Sequence, residues 1–355
     1  MKVNVVVAGT SSPGGIKTVI ESFEKYGFYK CCNYMFLCTH MDRRGMSNFF
    51  LYFRQLIKFI FKLFSGVDII HVHCSMRGSF YRKSILVLLS KLFKVKIIFH
   101  LHGSEFKDFY NNSNVFFKKY ISFIFNQCSV VFVLSESWMD FVSGFSNANI
   151  VILNNSVDTV IEYTNTEIID KSILNYNKLL FLGALGKRKG IFDLLDVCWK
   201  LNENGYIYTL LIGGNGDIDA VNKYICMHEL NNVKFIGWVD SEKKKDLLFN
   251  SGQLLLPSYN EGLPMVILEA MSYGCNVVST TVGGIPEVIV NGINGYLIEP
   301  GDKKDLYNII KKNLDSFDPK ICVNAINTQQ SCYSTDLYFK RLDKIYISLD
   351  KRFHK

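Results

Sequence analysis

The amino-acid sequence predicts an α/β protein with two doubly wound, Rossmann-like domains that face each other across a cleft. Three observations lead to this prediction: short β-branched runs alternate with helical segments, the alternation restarts midway, and the length suits two domains. The chain has 355 residues, of which 48% are hydrophobic, enough for a separate core in each domain. We expect domains at 1–160 and 161–330, and a C-terminal helix at 331–355 that packs back on the first domain.

Five strand-like runs predict the sheet of the first domain. They are short, mostly rich in Val and Ile, and bounded by turn residues: KVNVVVAG, VDIIHVHC, VKIIFHLHG, SVVFVLS and IVILNNS. Runs that are apolar along their whole length indicate parallel strands covered on both faces.

The second domain is predicted from six further runs: KLLFLGALG, YTLLIGGNG, NVKFIGWV, GQLLLPS, CNVVSTT and GYLIEP. The polar, weakly patterned segment 159–177 between the two sets is expected to be the linker. Ligands of doubly wound sheets bind at the carboxyl ends of the strands, so functional residues are expected in the loops that follow these runs.

The composition indicates a cytoplasmic protein. The ten cysteines are scattered without C-x-x-C spacing, which favours free thiols in a reducing compartment over disulfides or a zinc knuckle. The N-terminus lacks the pattern of a signal peptide, and no apolar run reaches the length of a membrane-spanning helix.

The positive charge is concentrated in the first domain. Residues 1–160 hold 18 Lys and Arg against 9 Asp and Glu, whereas the remainder holds 22 against 23. Within this half, segment 43–64 is apolar and aromatic, with Arg54, Lys58 and Lys62 at helical i, i+4, i+8 spacing. The pattern is typical of a helix in an anionic membrane surface, and equally of a core-facing helix with one solvated basic stripe. No nucleic-acid-binding signature accompanies the charge.

The loop after the first strand has features of a phosphate site. In GTSSPGGIKTVIESF, Gly14 and Gly15 allow a ligand to approach the backbone, and the start of the following helix supplies free N–H groups. A plain strand-to-helix turn would have the same composition.

The loop in FLGALGKRKGIFDLLD is a stronger candidate. A strand ends near Gly183, and Lys187, Arg188 and Lys189 precede the next helix. Three cations at a helix N-terminus oppose the helix dipole, which favours a bound anion such as a diphosphate over a merely solvated loop.

The stretch LPSYNEGLPMVILEAMSYG places two carboxylates around a helix start. Pro264 suits the first helical position and Gly274 the position after the last turn, so the helix is expected to begin right after Glu261, Gly262 and Leu263. Glu269 lies ~7.5 Å farther along the helix axis at ~1.5 Å per residue. Two carboxylates with free amides between them fit a ligand with hydroxyl groups at both ends and phosphates in the middle, which describes a nucleotide sugar.

The segment SYNEGLPMVILEAMSYGCNVVSTTVGGIPEVIVNGINGYLIEPGD resembles the signature of family 4 retaining glycosyltransferases, which have the GT-B fold and use nucleotide-sugar donors. The resemblance extends through FIGWVD, LIGGNG, FLGALGKRKG, HLHG and the N-terminal GGI, and so covers nearly the whole chain.

The resemblance implies roles for individual residues. Glu261, with the backbone of Gly262, Leu263 and Pro264, is expected to bind the hydroxyls of the donor sugar. His102 corresponds to the family's active-site histidine near the transferred sugar.

For the nucleotide, the resemblance implies that Glu269 holds the ribose and that the backbone around Trp238 meets the base. Lys189 pairs with the diphosphate beside Gly183, and Gly15 allows the N-terminal loop to approach it. The chain departs from the family at Ala184, where Arg is usual, and Lys187 or Arg188 could replace that cation.

The expected activity is metal-independent, retaining transfer of a sugar, with UDP-sugars favoured, in which His102, Lys189 and Glu261 are the catalytic residues. The expected acceptor is a lipid-linked glycan of a bacterial surface polysaccharide such as lipopolysaccharide, O-antigen or capsule. A sugar-nucleotide epimerase and a non-catalytic sugar-nucleotide-binding or scaffold protein are the alternatives. A zinc site of His71, His73, His100 and His102 is disfavoured, since no carboxylate or cysteine is arranged to complete it.

Overall fold

The computed structural model describes residues 3–12, 14–25, 32–42, 46–159 and 164–349. The chain divides into two compact units, one formed by Met1–Asn155 with Thr335–Lys355 and the other by Ser156–Ser334. These divisions lie within five residues of the boundaries predicted at 160/161 and 330/331.

The first unit contains a six-stranded parallel sheet. Its strands are β1 Val3–Gly9, β2 Cys32–Cys38, β3 Ile69–Cys74, β4 Lys96–Leu101, β5 Val130–Val133 and β6 Ile150–Ile152. They lie in the order β2-β1-β3-β4-β5-β6. The helices of this part of the chain are α1 Gly15–Lys25, α2 Ser47–Phe64, α3 Gly78–Leu92, α4 Phe106–Asn111, α5 Val115–Asn126 and α6 Glu136–Ser143.

The second unit repeats the design. Its strands are β7 Lys178–Leu182, β8 Thr209–Gly213, β9 Val233–Phe235, β10 Gln253–Leu256, β11 Asn276–Thr280 and β12 Tyr296–Ile298. They are parallel in the order β12-β11-β10-β7-β8-β9. The helices are α7 Asn165–Asn175, α8 Ile191–Glu203, α9 Ile218–Met227, α10 Ser241–Phe249, α11 Met265–Ser272, α12 Ile285–Val288, α13 Lys303–Asp315 and α14 Lys320–Cys332.

The last described helix, α15 Thr335–Leu349, packs in the first unit. Its Tyr346 is buried, and the hydroxyl lies 2.7 Å from Nδ1 of His71 on β3. Phe339 makes an edge contact with Phe23 of α1 at a ring separation of 5.2 Å.

The prediction of two doubly wound parallel sheets is confirmed. Every residue of β3, β5, β10 and β11 is buried, because helices cover both faces of a parallel sheet. All eleven predicted runs form strands. The sequence prediction omitted β2, whose residues CNYMFLC include no Val or Ile.

The prediction of a linker at 159–177 is wrong for most of that segment. Residues Asn165–Asn175 form α7, and Thr164 caps it in a reciprocal capping box with Glu167. The T-x-x-E spacing was the local signal for this helix start. Residues 160–163 lie outside the described part of the chain.

Among the described residues, no helix is both long enough and apolar enough to cross a bilayer.

Candidate functional site

The strand order locates the ligand-binding edge of the second unit. From β7 the chain continues to β8 on one side of the sheet, and from β10 it continues to β11 on the other side. The carboxyl ends of the neighbouring strands β7 and β10 are therefore the topological switch point. The loop Gly183–Gly190 follows β7 and the loop Pro257–Pro264 follows β10. Both loops that the sequence analysis singled out therefore leave the sheet at the point where such folds bind ligands.

The two loops are held together by their backbones. Lys187–Lys189 form a 3-10 turn, and the amide of Tyr259 donates to the carbonyl of Arg188 at 2.8 Å. The guanidinium of Arg188 donates to the carbonyl of Asn260 at 3.1 Å. Arg188 is therefore used to join the two loops.

The predicted diphosphate-binding lysine and sugar-binding glutamate meet directly. Nζ of Lys189 donates to Oε1 of Glu261, and the two side chains are only 13% and 6% exposed. A Cβ on Gly183 would stand 3.8 Å from Cδ and Cε of Lys189, so the lysine stem passes beside this glycine. Three predicted site residues from two loops thus come together.

The segment predicted to bind the donor sugar is buried and has close backbone contacts. Glu261, Gly262, Leu263 and Pro264 are all buried. The amide of Gly284 donates to the carbonyl of Gly262 at 2.6 Å. Pro264 has an extended ψ of 124°, so α11 begins at Met265, and the expectation that Pro264 is the first helical residue is wrong by one position.

Glu269 pairs with a lysine that sequence reasoning missed. Nζ of Lys244, on α10, lies 2.5 Å from Oε1 of Glu269, and the side chains are 27% and 14% exposed. Lys244 belongs to a run of three lysines, Lys243–Lys245, and nothing local distinguishes the one that faces the site.

Trp238 lies in the loop after β9 and is 55% exposed. The amide of Gly214 donates to the carbonyl of Gly237 at 2.9 Å, and a Cβ on Gly214 would stand 1.8 Å from the carbonyl oxygen of Gly183. The predicted base and diphosphate loops are therefore connected through Gly214. Ala184, at the family's usual arginine position, is exposed.

In the first unit, α1 begins at Gly15, as expected, after Gly14 with a positive φ of 140°. His102 follows β4, and its amide donates to the carbonyl of Cys74 at 2.8 Å. Its Nε2 lies 2.9 Å from Nδ1 of His73.

His102 lies at one end of a row of four adjacent histidines, His71, His73, His100 and His102. Nε2 of His71 lies 3.3 Å from Nδ1 of His100, and His71, His73 and His100 are fully buried. Burial lowers the pKa of His102 to about 3 and holds the pKa values of the other three well below 6.5, so the row is neutral at pH 7.

The row brings nitrogen atoms of His71, His73 and His100 within 4.8 Å of one another, the spacing of a possible metal site. The His71 ring is nearly parallel to the His73 and His100 rings, at interplanar angles of 22° and 13°. Imidazole lone pairs lie in the ring plane, so rings in this arrangement do not converge on one ion. The absence of a metal requirement stays a prediction.

The buried histidines predict a strong pH dependence of stability. Their pKa values are lower in the folded protein than the unfolded value near 6.5, so below pH 6.5 the unfolded chain binds protons that the native state excludes. The free energy of unfolding should fall with decreasing pH by about 1.4 kcal/mol per unit for each histidine. Urea unfolding between pH 7.5 and 5.5 measures this slope.

His100→Gln should reduce that slope by about one proton. Equal slopes for wild type and His100→Gln would contradict the prediction.

These features define a two-domain protein of the GT-B fold with a polar, cation-containing site at the switch point of the second sheet. HepE from Anabaena, solved with UDP, superposes with a TM-score of 0.76 at 18% identity, covering 98% of this chain and 100% of that one. At this identity the likeness establishes the fold.

Sequence comparisons extend the assignment. The family described as "Glycosyl transferases group 1" matches residues 165–327, and "Glycosyltransferase Family 4" matches residues 13–160. AmsK, an amylovoran biosynthesis glycosyltransferase of Erwinia amylovora, is 33% identical over 38% of this chain and 35% of its own length. WcaL of Salmonella typhimurium, a putative colanic acid biosynthesis glycosyltransferase, is 29% identical over 36% and 34%.

The chain belongs to the group 1, family 4 glycosyltransferases, since the two matches together account for most of its length. It spans about a third of the length of the curated relatives AmsK and WcaL.

Proposed function

We propose that this protein transfers a sugar from a nucleotide-sugar donor to a glycan acceptor with retention of configuration and without a metal. The Lys189–Glu261 pair at the switch point is the observation that carries the proposal. A carboxylate that can bind sugar hydroxyls lies in contact with a cation that can bind a diphosphate. In a nucleotide-sugar donor the sugar and the diphosphate are likewise directly bonded to each other.

The resemblance to retaining glycosyltransferases suggests the chemistry. The anomeric C–O bond to the diphosphate breaks, and a bond forms between the anomeric carbon and an acceptor hydroxyl oxygen on the same face. The leaving phosphate oxygen takes the acceptor's proton, so no strong general base is required. Lys189 stabilises the charge that grows on the leaving diphosphate.

The remaining roles follow from position and resemblance. Glu269 holds the ribose, the backbone around Trp238 meets the base, and Lys244 orients the Glu269 carboxylate until the nucleotide binds. His102, whose imidazole is neutral at pH 7, forms a hydrogen bond with the transferred sugar.

UDP-sugars are the favoured donors, and HepE of the same fold, solved with UDP and with UDP-glucose, supports this choice. The names of AmsK and WcaL, which refer to amylovoran and colanic acid biosynthesis, support a role in bacterial surface polysaccharide assembly.

A thermal-shift screen against UDP, GDP, ADP and CMP in EDTA tests the donor proposal. A nucleotide at 100 times its Kd stabilises the folded protein by about 2.7 kcal/mol, which raises Tm by several degrees. We expect the shift with UDP and its loss in Glu269→Ala. No shift with any nucleotide would contradict the proposal, and binding without transfer would favour a non-catalytic sugar-nucleotide-binding protein.

An acceptor in an anionic membrane is the second part of the proposal. Helices α2, α3 and α5 carry no Asp or Glu and, apart from the buried Lys83, seven Lys and Arg. They adjoin one another, since the Tyr52 hydroxyl donates to the carbonyl of Arg82 and Tyr81 contacts Phe117. Their exposed large apolar residues are Phe49, Phe50, Phe53, Ile57, Phe61, Phe64, Tyr81, Ile85, Leu92, Val115, Phe116 and Phe123.

This apolar, cationic face fits an anionic lipid bilayer, because aromatic side chains enter the interface while Lys and Arg meet the headgroups. On α2, Arg54 and Lys58 are exposed and Lys62 is partly buried. Arg43, Arg44 and Gly45 of the predicted segment 43–64 lie outside the described residues.

Replacing Arg54, Lys58 and Lys62 by Gln should weaken binding to anionic liposomes roughly 100-fold, at about 1 kcal/mol for each cation. Co-sedimentation with phosphatidylglycerol vesicles measures the change. The matched control replaces Lys223, Lys234 and Lys245, exposed lysines of the second unit, and should leave binding unaltered. Equal binding by both triple variants would count against the membrane face.

A further inference from the structure

Helix α3 of the first unit begins with an unusual excess of positive charge. Arg77 is its N-cap residue, Arg82 and Lys83 follow within two turns, and its first turn contains no acidic residue. The N-terminal end of a helix carries partial positive charge that acts within its first turn, so a cation at the position of Arg77 is unfavourable unless an anion is bound.

Lys83 is a buried cation without a carboxylate partner. It is 1% exposed, and its ammonium group donates to Oγ1 of Thr39, which itself donates to the carbonyl of Gly9 at 2.7 Å. No carboxylate among the described residues forms an ion pair with it. Burial lowers the pKa of Lys83 to about 7, which reflects how unfavourable this charge is without an anion.

Arg82 adds a second cation in the same place. Its Nε is buried and has no hydrogen-bond partner in the described part of the chain. The Tyr52 hydroxyl donates to its carbonyl at 2.8 Å, which fixes the backbone at this point. A buried guanidinium N–H without an acceptor is costly, and an oxyanion would supply the acceptor.

The two cations adjoin polar residues at the carboxyl end of the sheet. The pKa of His40 is lowered by burial and then by the charges of Arg82 and Lys83, with a smaller opposing effect of Asp42. Nδ1 of His40 lies 3.0 Å from Oγ of Ser12, in the loop that leads into α1. The cations therefore stand next to the loop after β1.

The strand order points to the same place. Strands β1 and β3 are neighbours, with β2 on one side and β4 to β6 on the other, so the loops after β1 and β3 leave at the switch point of this sheet. The loop after β3 contains Arg77 at φ 45° and ψ −117°, a strained conformation for a residue other than glycine. Strain of this kind concentrates at functional sites. A Cβ on Gly14, in the loop after β1, would meet nothing within 4 Å, so a ligand can approach there.

We propose that Arg82 and Lys83, beside the loop after β1, form a second anion site that binds the diphosphate of a lipid-linked acceptor. Arg82 binds the phosphate oxygens through its guanidinium group, and Lys83 beneath it acts as a positioning residue that supplies positive potential. This inference rests on the proposed transfer to a glycan acceptor, and specifies that the acceptor is recognised by its diphosphate.

Binding of farnesyl diphosphate by the full-length protein, measured by isothermal titration calorimetry, tests the site without turnover. Arg82→Gln should weaken binding about tenfold or more, and Lys83→Met several-fold. Lys96→Gln, at the amino-terminal edge of the same sheet, should leave the Kd unchanged. Farnesol should not bind, and inorganic pyrophosphate should bind with the same dependence on Arg82, since the diphosphate is the group recognised.

Lys83→Met also separates a functional from a structural lysine. Its Tm should equal or exceed that of the wild type, since a buried charge is removed, while its affinity for farnesyl diphosphate falls. A lower Tm with unchanged affinity would overturn the proposal.

Lys189→Gln locates the bound diphosphate. If farnesyl diphosphate binding depends on Lys189 and not on Arg82, the ligand occupies the donor loop and the second site is refuted. The UDP shift of the donor site is independent of this result, so failure of the acceptor site leaves the donor proposal intact.

Discussion

Lys189→Gln is expected to lower kcat for sugar transfer by about 100- to 1,000-fold, because removing one preorganised positive group from a developing anion has effects of this size. The substitution keeps the approximate length of the side chain and its hydrogen bond to Glu261, and removes the charge. The loss should be in kcat more than in KM, since the charge on the leaving diphosphate grows in the transition state. Initial rates with UDP-sugar and acceptor measure both constants.

Lys245→Gln is the matched control. Lys245 is an exposed lysine of the same unit, 58% accessible, and pairs with Glu242 on the surface. It should retain full activity. A Lys189→Gln protein whose kcat stays within threefold of the wild type would show that Lys189 does not stabilise the leaving group.

Gly190→Ala is expected to lower the free energy of unfolding by about 3 to 4 kcal/mol. Gly190 has φ 68°, and a Cβ there would stand 2.0 Å from the carbonyl oxygen of Pro257. The side chain must therefore force apart the two backbones that bring Lys189 to Glu261. Urea unfolding measures the stability loss, and the thermal shift with UDP should decrease in the same variant.

Gly205→Ala separates the cost of a positive φ from the cost of the steric clash. Gly205 follows the other end of α8 with φ 76°, and its Cβ would meet nothing within 4 Å. The free energy of unfolding of Gly205→Ala should fall by about 1 to 2 kcal/mol, which is the cost of the positive φ alone. Equal losses in the two variants would mean that the close approach of the two loops is not rigid.

The sequence located most of the sheet and both loops of the candidate donor site. Strands such as VVFV and LLFL are evident because a strand buried on both faces must be apolar along its whole length. Strand β2 was missed because its residues include neither Val nor Ile and only two of the seven are buried.

Pairings within the site could not be read from the sequence. Lys189 and Glu261 are 72 residues apart, and Lys244 and Glu269 are 25 apart. Each pair forms because two strand-end loops or helices converge in space. Helix α7 was missed for a different reason. Its sequence is polar and weakly patterned, and the capping box that marks its start was overlooked although it is a local signal.

The cations of α3 show the same limit. Arg82 and Lys83 lie in a segment that reads as an ordinary amphipathic helix, and their burial beside Thr39 and His40 depends on how β1, β2 and β3 are ordered.

By itself, the sequence determined the two parallel sheets, the glycine-containing loops at their carboxyl ends and the family, because apolar runs, turn residues and helix starts are local properties. Only the tertiary structure decided which charges meet: Lys189 with Glu261, Lys244 with Glu269, and Lys83 with Thr39 instead of a carboxylate. The physical reason is that an ion pair or a buried charge depends on distance and solvent exclusion, and both are set by strand order across dozens of residues.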